Sequence, residues 1–316
     1  MSRPTPQRIV ILGGTGFVGS RLVPRLAADG HGIVLLSRNR QARRHATVGR
    51  NVQVVSTDVY DPPSLRSQVA GADAVINLVG ILNESGRQTF ARAHVELTRL
   101  VVDACRDTGV LRLHQMSALH AGAASSAYLR SRGEAEALVK ASTLDWTIYR
   151  PSTIFGPNDG LITRFDRLLA IAPVMPLPRP HARMAPVYVG DVVEAMARAV
   201  ADPARSVLHT FELYGRETWT LLNLVRAIRD ARGRHRVVLP MPDGLGRVQA
   251  QVAQFVPGKP FTPDNFRTLM IDSVGSTDGL AELGIEPQAL SAWLPRLLGQ
   301  PIRQRRLDAS RQKRPS

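Results

Sequence analysis

The chain has 316 residues, 44% of them hydrophobic, with 41 basic against 26 acidic side chains and a net charge of +15. A chain of this length buries a sizeable core without staples, and its single cysteine, Cys105, excludes an intramolecular disulfide. No apolar run approaches the roughly 20 residues of a bilayer-spanning helix, and the positive balance favours an anionic partner.

Solid apolar runs predict strands at 8–13, 32–37, 51–55, 73–78, 111–116 and 144–149. Between them, amphipathic spacing predicts helices at 17–29, 39–46, 62–70, 88–108 and 127–142. This alternation predicts a parallel sheet with helices on both faces, the doubly wound α/β Rossmann class. After Arg150 the rhythm changes. Prolines crowd 173–186 and predict an exposed, meandering connection. Strands at 185–189 and 207–214 and helices at 190–201, 219–232 and 245–255 are expected to follow.

The expected organisation is a dinucleotide-binding domain over 1–150, then a small C-terminal lobe over 151–300 interleaved with the end of the sheet. The basic tail, 301–316, is polar and aperiodic and is expected to be disordered. Helix 245–255 carries Leu245, Val248, Val252 and Phe255 on one stripe, with Arg247 off it. Core packing is the first expectation for that stripe, and an interfacial helix on an anionic membrane is the second. Cys105 lies in an apolar helical stretch and is expected to be packed and inert, as suits a reducing compartment. The few residues before Arg8 are too short for a signal or transit peptide, so a cytoplasmic protein is expected.

Gly13-Gly14-Thr15-Gly16-Phe17-Val18-Gly19 follows the first strand and opens a helix. Such a turn brings backbone N–H groups and a helix N-terminus against a pyrophosphate, and a side chain at Gly13 or Gly16 would hold the backbone off. Gly19 is expected to let the helix pack closely on the sheet. Gly13, Thr15, Gly16, Phe17, Val18 and Gly19 are therefore cofactor-binding candidates; the alternative is a plain strand-helix turn.

The second strand ends in Ser37 and Arg38, and no acid lies between Asp29 and Asp58. An NAD site usually places a carboxylate there for the ribose hydroxyls, whereas an arginine pairs with a 2′-phosphate. NADP(H) is thus expected ahead of NAD(H). Arg43 and Arg44 fit a solvated helix face. Asp58 and Val59 are expected beside the adenine, with capping of the next helix the other role for Asp58. Asn77, Val79 and Gly80 are expected beside the ribose and pyrophosphate. No metal site is expected.

The fifth strand ends at Ser117. Tyr128 and Arg132 stand four apart on one helix face. These positions resemble the short-chain dehydrogenase/reductase superfamily in its extended and atypical branches. The resemblance implies a serine that polarises a carbonyl, a tyrosine that transfers the proton, and a lysine that assists it and holds the ribose. Here Arg132 takes the place of the lysine. It keeps the charge and can grip the ribose, but a guanidinium does not pass on a proton. Ser117, Tyr128 and Arg132 are therefore either a working catalytic set or a vestigial one that only clamps the cofactor.

Two further segments carry the resemblance. The stretch from Tyr149 to Pro157 implies backbone at Pro151 beside the nicotinamide. The stretch from Pro186 to Val192 implies an aspartate, Asp191, that caps the next helix. The strings Ser117-Ala118-Leu119, Tyr128-Leu129-Arg130-Ser131, Asp145-Trp146-Thr147 and Ile154-Phe155-Gly156-Pro157 narrow it further. From about residue 7 to about 300 the chain is similar to the nucleotide-binding accessory subunit of respiratory complex I and its bacterial relatives. That implies a firmly held NADPH without clear turnover and docking beside the membrane arm; respiratory-complex subunits and, from the positive balance, an anionic membrane surface are the expected partners, with peripheral attachment at the cytoplasmic face. The alternative is an active NADP-dependent reductase or epimerase acting on a small carbonyl, quinone or nucleotide sugar. No nucleic-acid partner is expected: aromatic residues make up only 5% of the chain and do not interleave with the basic clusters.

Overall fold

Seven of the apolar runs pair into one parallel sheet. They are β1 (Arg8–Leu12), β2 (Gly32–Ser37), β3 (Val52–Ser56), β4 (Ala74–Asn77), β5 (Arg112–Met116), β6 (Asp145–Pro151) and, much later in the chain, β11 (His209–Leu213). The order is β11-β6-β5-β4-β1-β2-β3. The chain builds outward from β1 to β3 and then returns to lay β4 on the other side of β1. In such sheets ligands bind outside the strand ends where the order reverses. The computed structural model describes residues 5–37, 51–256 and 261–299. Arg38, the predicted helix at 39–46 with its arginines, and the basic tail lie outside the described residues.

The pleat sorts the core into two layers. Ile9 and Ile11 face α1 (Gly19–Ala28) and pack with its Leu22 and Leu26, whereas Val10 and Leu12 pack with Leu97 and Val101 on the opposite face. All of these side chains are buried. Helices α2 (Pro62–Val69), α3 (Leu97–Thr108) and α4 (Ala127–Lys140) complete the first half. The predicted helix 88–108 opens with a π-helical turn, Ala91–Glu96, before α3. Cys105 is buried inside this layer, and burial pushes its thiol up to about 12. That leaves it as a packed, inert side chain.

The remaining elements are β7 (Ile154–Phe155), α5 (Leu161–Ile171), β8 (Val174–Leu177), β9 (Arg183–Met184), β10 (Val187–Tyr188), α6 (Val189–Ala201), α7 (Pro203–Ser206), β12 (Trp219–Thr220), α8 (Leu221–Ala231), β13 (Val237–Pro240), α9 (Asp243–Ala253), α10 (Pro263–Thr268), α11 (Gly279–Glu282) and α12 (Leu290–Leu298). A third apolar cluster joins Phe155, Ile162, Leu177, Leu224, Ile228 and Leu294. The proline-rich stretch is more ordered than expected. β8 pairs in parallel with β13, and Met175 and Leu177 point into this cluster. Proline is tolerated there because a two-stranded sheet is all edge.

Two other expectations fail. α6 starts at Val189 without a side-chain cap, and the Asp191 carboxylate instead accepts the main-chain N–H of Gln288 at 2.8 Å and its side-chain amide at 3.3 Å. Asp191 therefore ties a distant loop to α6. The core reading of the α9 stripe is also wrong: Leu245, Val248, Val252 and Phe255 are exposed by 58, 56, 64 and 83%. Among the described residues, no helix is long and apolar enough to cross a membrane.

Candidate functional site

The loop after β1 is built from glycines that leave no room for a side chain. Gly13 has φ of +77°, where other residues are strained, and its carbonyl accepts the Gly16 N–H at 3.0 Å. A Cβ on Gly14 would fall 2.0 Å from Leu35 Cδ1 on β2. A Cβ on Gly19 would fall 2.4 Å from Gly14 Cα. Gly14 thus seats the loop on the sheet, and Gly19 packs against the loop's own backbone rather than on the sheet as expected. α1 begins at Gly19 with neither an acidic residue nor a side-chain cap in its first turn, so its N-terminus is open to an anion.

A cavity of about 710 Å³ lies at the carboxyl ends of β1, β2 and β4. Of the predicted residues, Gly13, Thr15, Gly16, Ser37, Val59, Val79 and Gly80 line it. Leu12, Leu36, Tyr60, Leu78 and Leu97 line it as well. Sequence reasoning missed them, although each of the first four neighbours a predicted contact. The glycine cradle, the open helix end and this cavity fit an extended dinucleotide.

Phe17, Val18 and Gly19 are not part of the lining. Phe17 stacks under Arg21, whose guanidinium carbon is 4.7 Å from the ring centroid. Asn77 is buried and works inward, donating to Gln115 Oε1 at 3.0 Å and accepting the Val79 N–H at 3.1 Å. It shapes the turn that brings Val79 and Gly80 to the cavity. Asp58 accepts the Tyr60 N–H at 3.0 Å, and the cap of α2 is Asp61, not Asp58. Asp58 instead lines a neighbouring cavity of about 570 Å³ with Tyr60, Arg87 and Arg92.

The predicted catalytic residues lie in one neighbourhood, but Ser117 and Arg132 already spend their bonds on protein groups. Ser117 Oγ donates to Glu136 Oε1 at 2.6 Å. Glu136 also takes both nitrogens of an Arg150 fork, at 2.8 and 2.6 Å, and Lys140 at 3.3 Å. Burial raises the Glu136 pKa, but the bonds from Arg150 and Ser117 and the charges of Arg150 and Lys140 outweigh it and hold the carboxyl below its ordinary range.

Arg132 is 5% exposed. Its Nη1 donates to the Met116 carbonyl at 3.0 Å and more weakly to the Val79 carbonyl at 3.5 Å, and its Nε is buried without a partner among the described residues. The guanidinium carbon sits 5.5 Å from the Tyr128 ring centroid. Tyr128 packs edge-on against Phe90 and His94, and no hydrogen bond to its hydroxyl is present among the described residues. Pro151 ends β6 and accepts the Leu119 N–H at 3.0 Å, which holds the segment after Ser117.

His94, from the π-helical turn, was not expected in the site. Its Nε2 accepts the Ile81 N–H at 3.2 Å. Its other nitrogen therefore carries the proton and donates to Ser131 Oγ at 2.8 Å, and Ser131 donates to the Tyr128 carbonyl at 2.8 Å. Burial and the Arg132 charge press the imidazole pKa down to about 2, so it is neutral. The start of α4 is held from far along the chain. Asp264 of α10 accepts the N–H groups of Ala127 at 2.7 Å and Tyr128 at 3.1 Å. No local pattern announced these two contributors, because both act through tertiary contacts.

Fold and site together define a nucleotide-binding Rossmann protein with a short-chain-dehydrogenase layout. A family model described as NAD(P)H-binding matches residues 13–166. The chain is 30% identical over 294 residues to NADH dehydrogenase (ubiquinone) 1 alpha subcomplex subunit 9 of Mus musculus, covering 89% of this chain and 76% of that protein. It is also 30% identical over 238 residues to the ceramide reductase of Caulobacter vibrioides, covering 74% of each. In fold it matches the NADPH-dependent quinone oxidoreductase of Escherichia coli with a TM-score of 0.75 at 18% identity, over 92% of this chain and 99% of that one. The chain belongs to the NAD(P)H-binding family of atypical and extended short-chain dehydrogenases that contains these subunits and reductases.

Proposed function

We propose that this protein holds NADP(H) as an accessory subunit or assembly factor of a respiratory NADH:quinone oxidoreductase, and that Ser117, Tyr128 and Arg132 clamp the cofactor rather than turn it over. One observation carries the reading. Arg132, in the place of the family's lysine, is buried and committed to main-chain carbonyls, while the Ser117 hydroxyl is committed to Glu136. A proton relay needs groups that can give up a proton, and neither arrangement offers one. The likeness to subunit 9 along most of the chain supports the respiratory partner. Ser37 and the adjoining Arg38 support NADP(H) over NAD(H).

The second reading, an active NADP-dependent reductase or epimerase, draws on the Tyr128 hydroxyl, which has no hydrogen bond among the described residues, and on the similarity to the Caulobacter reductase. Native purification followed by identification of the bound nucleotide and the accompanying proteins tests the proposal. Bound NADP(H) together with respiratory-complex subunits supports it. A protein that comes away alone and reduces a carbonyl or quinone at ordinary enzymatic rates overturns it.

A further inference from the structure

The C-terminal lobe reaches back to the nucleotide-binding half through one short helix, α10. Its six residues are fixed by a complete capping box. Thr262 Oγ1 accepts the Asn265 N–H at 3.2 Å, and Asn265 Oδ1 accepts the Thr262 N–H at 3.1 Å. Such a box satisfies the first turn reciprocally and sets the helix locally. Phe266 is buried in the lobe, where a Cβ on Gly246 of α9 would fall 3.0 Å from its ring. The helix is thus a peg seated in the lobe, with polar side chains left to hold other segments.

Those side chains hold two segments at once. Asp264 accepts the Ala127 N–H at 2.7 Å through Oδ1 and the Tyr128 N–H at 3.1 Å through Oδ2. Thr268 Oγ1 lies 2.7 Å from the Ser126 hydroxyl. On the other side, Asn265 Nδ2 donates to the Leu82 carbonyl at 3.4 Å, and the Thr262 hydroxyl donates to Asn83 Oδ1 at 3.4 Å. Helix α4 has a cap of its own, because Ser126 Oγ accepts the Leu129 N–H at 3.3 Å. The Asp264 carboxylate therefore adds what a local cap does not. It fixes the start of α4 relative to the loop after β4.

These two segments bound the clamp. Gly80 lies two residues before Leu82, and Arg132, four residues after Tyr128, fills the space beside Gly80. The cavity runs across the strand ends from Ser37 at β2 to Gly80 at β4. With the adenosine at Ser37, the nicotinamide half extends toward Gly80 and the end of β5, where Ser117 stands. Tyr128 and Arg132 share one rigid helix, so a shift at its start moves both together.

We propose that Asp264 is a positioning residue for the cofactor: by holding α4 against the loop after β4, it sets Tyr128 and Arg132 on the nicotinamide half of the dinucleotide. This rests on the reading of Tyr128 and Arg132 as a clamp. The test is calorimetric titration of the full-length protein with NADPH and with adenosine 2′,5′-bisphosphate, a fragment that lacks the nicotinamide half. Asp264→Ala should weaken NADPH roughly tenfold or more, the scale of lost charge-assisted hydrogen bonds, and leave the fragment within about twofold. Asp264→Asn keeps one acceptor and should fall between; it carries the same comparison if the alanine variant does not fold. Phe266→Leu loosens the packing of the same helix but keeps the carboxylate. It should lower the melting temperature without a selective loss of NADPH.

Equal losses for NADPH and the fragment in the Asp264 variants overturn the proposal. So does a selective NADPH loss of the same size in Phe266→Leu, because lobe packing would then set the clamp. Unchanged NADPH affinity in Asp264→Ala, beside a loss in Arg132→Ala, overturns the proposal and leaves the clamp standing. An Arg132→Ala protein that binds NADPH as the wild type does removes the clamp, and the proposal with it.

Discussion

Arg132 and Gly80 share one space: a Cβ built on Gly80 falls 2.0 Å from Arg132 Nη2. The space beside the glycine is taken by a side chain 52 positions further along the chain. Gly80→Ala should therefore drive the guanidinium off the Met116 and Val79 carbonyls and destabilise the fold by about 1–3 kcal/mol. In an Arg132→Ala background the same substitution should cost almost nothing. Thermal or urea melts of the four proteins form the cycle, and equal costs in both backgrounds would show that the guanidinium does not fill the space.

Ser117 is read as a strut for Glu136. Ser117→Ala should then cost about 1 kcal/mol of stability, the worth of one ordinary hydrogen bond. Glu136→Gln should cost more, about 3 kcal/mol, because it removes the charge that balances Arg150 at a buried position. Urea titration checks both. If Ser117→Ala left stability untouched but removed a measurable reductase activity, the serine would be catalytic.

His94 makes stability depend on pH. The folded imidazole stays neutral down to about 2, whereas the unfolded side chain takes a proton near its ordinary value of 6.5. The unfolded state thus binds more protons between these limits. Stability should fall as pH drops below about 6.5, by up to about 1.4 kcal/mol per pH unit from this residue. His94→Gln keeps an acceptor for the Ile81 N–H but does not titrate. The difference in stability between wild type and variant should shift in the variant's favour from pH 7 to pH 5. Parallel curves would mean that His94 is already charged or accessible in the folded protein.

The sequence made some parts of this architecture legible and hid others, and the division is physical. Strand-helix alternation and the glycine loop are local: each strand reads as an apolar run, and a tight turn against a phosphate admits little but glycine. The Ser117–Glu136 bond, the reach of Asp264 to α4 and the placement of His94 are register facts between elements distant in sequence, and no spacing encodes them. The α9 stripe shows a different limit. Its periodicity marked an amphipathic helix correctly, but periodicity does not say which side faces protein. That was decided by the buried Gly246 and Ala250, and at Gly246 a Cβ would meet Pro178 and Phe266.

Cofactor preference is open to a direct exchange. Arg38 lies outside the described residues, but it follows Ser37, which lines the cavity. Arg38→Asp should replace an attraction for a 2′-phosphate with a repulsion and supply an acceptor for ribose hydroxyls. The ratio of NADPH to NADH affinity should fall by the equivalent of about 1–3 kcal/mol. Calorimetric titration of both cofactors into wild type and variant measures it. A wild type that binds the two equally would remove the basis for the NADP(H) assignment.

Arg132 and Tyr128 together separate the cofactor holder from the enzyme. If the buried guanidinium only clamps, Arg132→Lys should leave NADPH affinity within about tenfold, or 1.4 kcal/mol, and create no strong activity toward ketones, quinones or nucleotide sugars. A lysine amine is shorter and carries one centre of charge, so it cannot make the bond to Met116 and also fill the space beside Gly80. A modest loss of stability should accompany the exchange. If the protein is instead an enzyme, wild type should already oxidise NADPH with a member of that panel. Tyr128→Phe should then slow it by roughly a hundredfold or more, the scale of a lost general acid. Because no hydrogen bond to the Tyr128 hydroxyl is present among the described residues, that substitution should cost little stability, and any rate loss would report chemistry rather than folding. Strong turnover in wild type that disappears in Tyr128→Phe, with NADPH still bound, would replace the clamp by a catalytic tyrosine working beside an arginine.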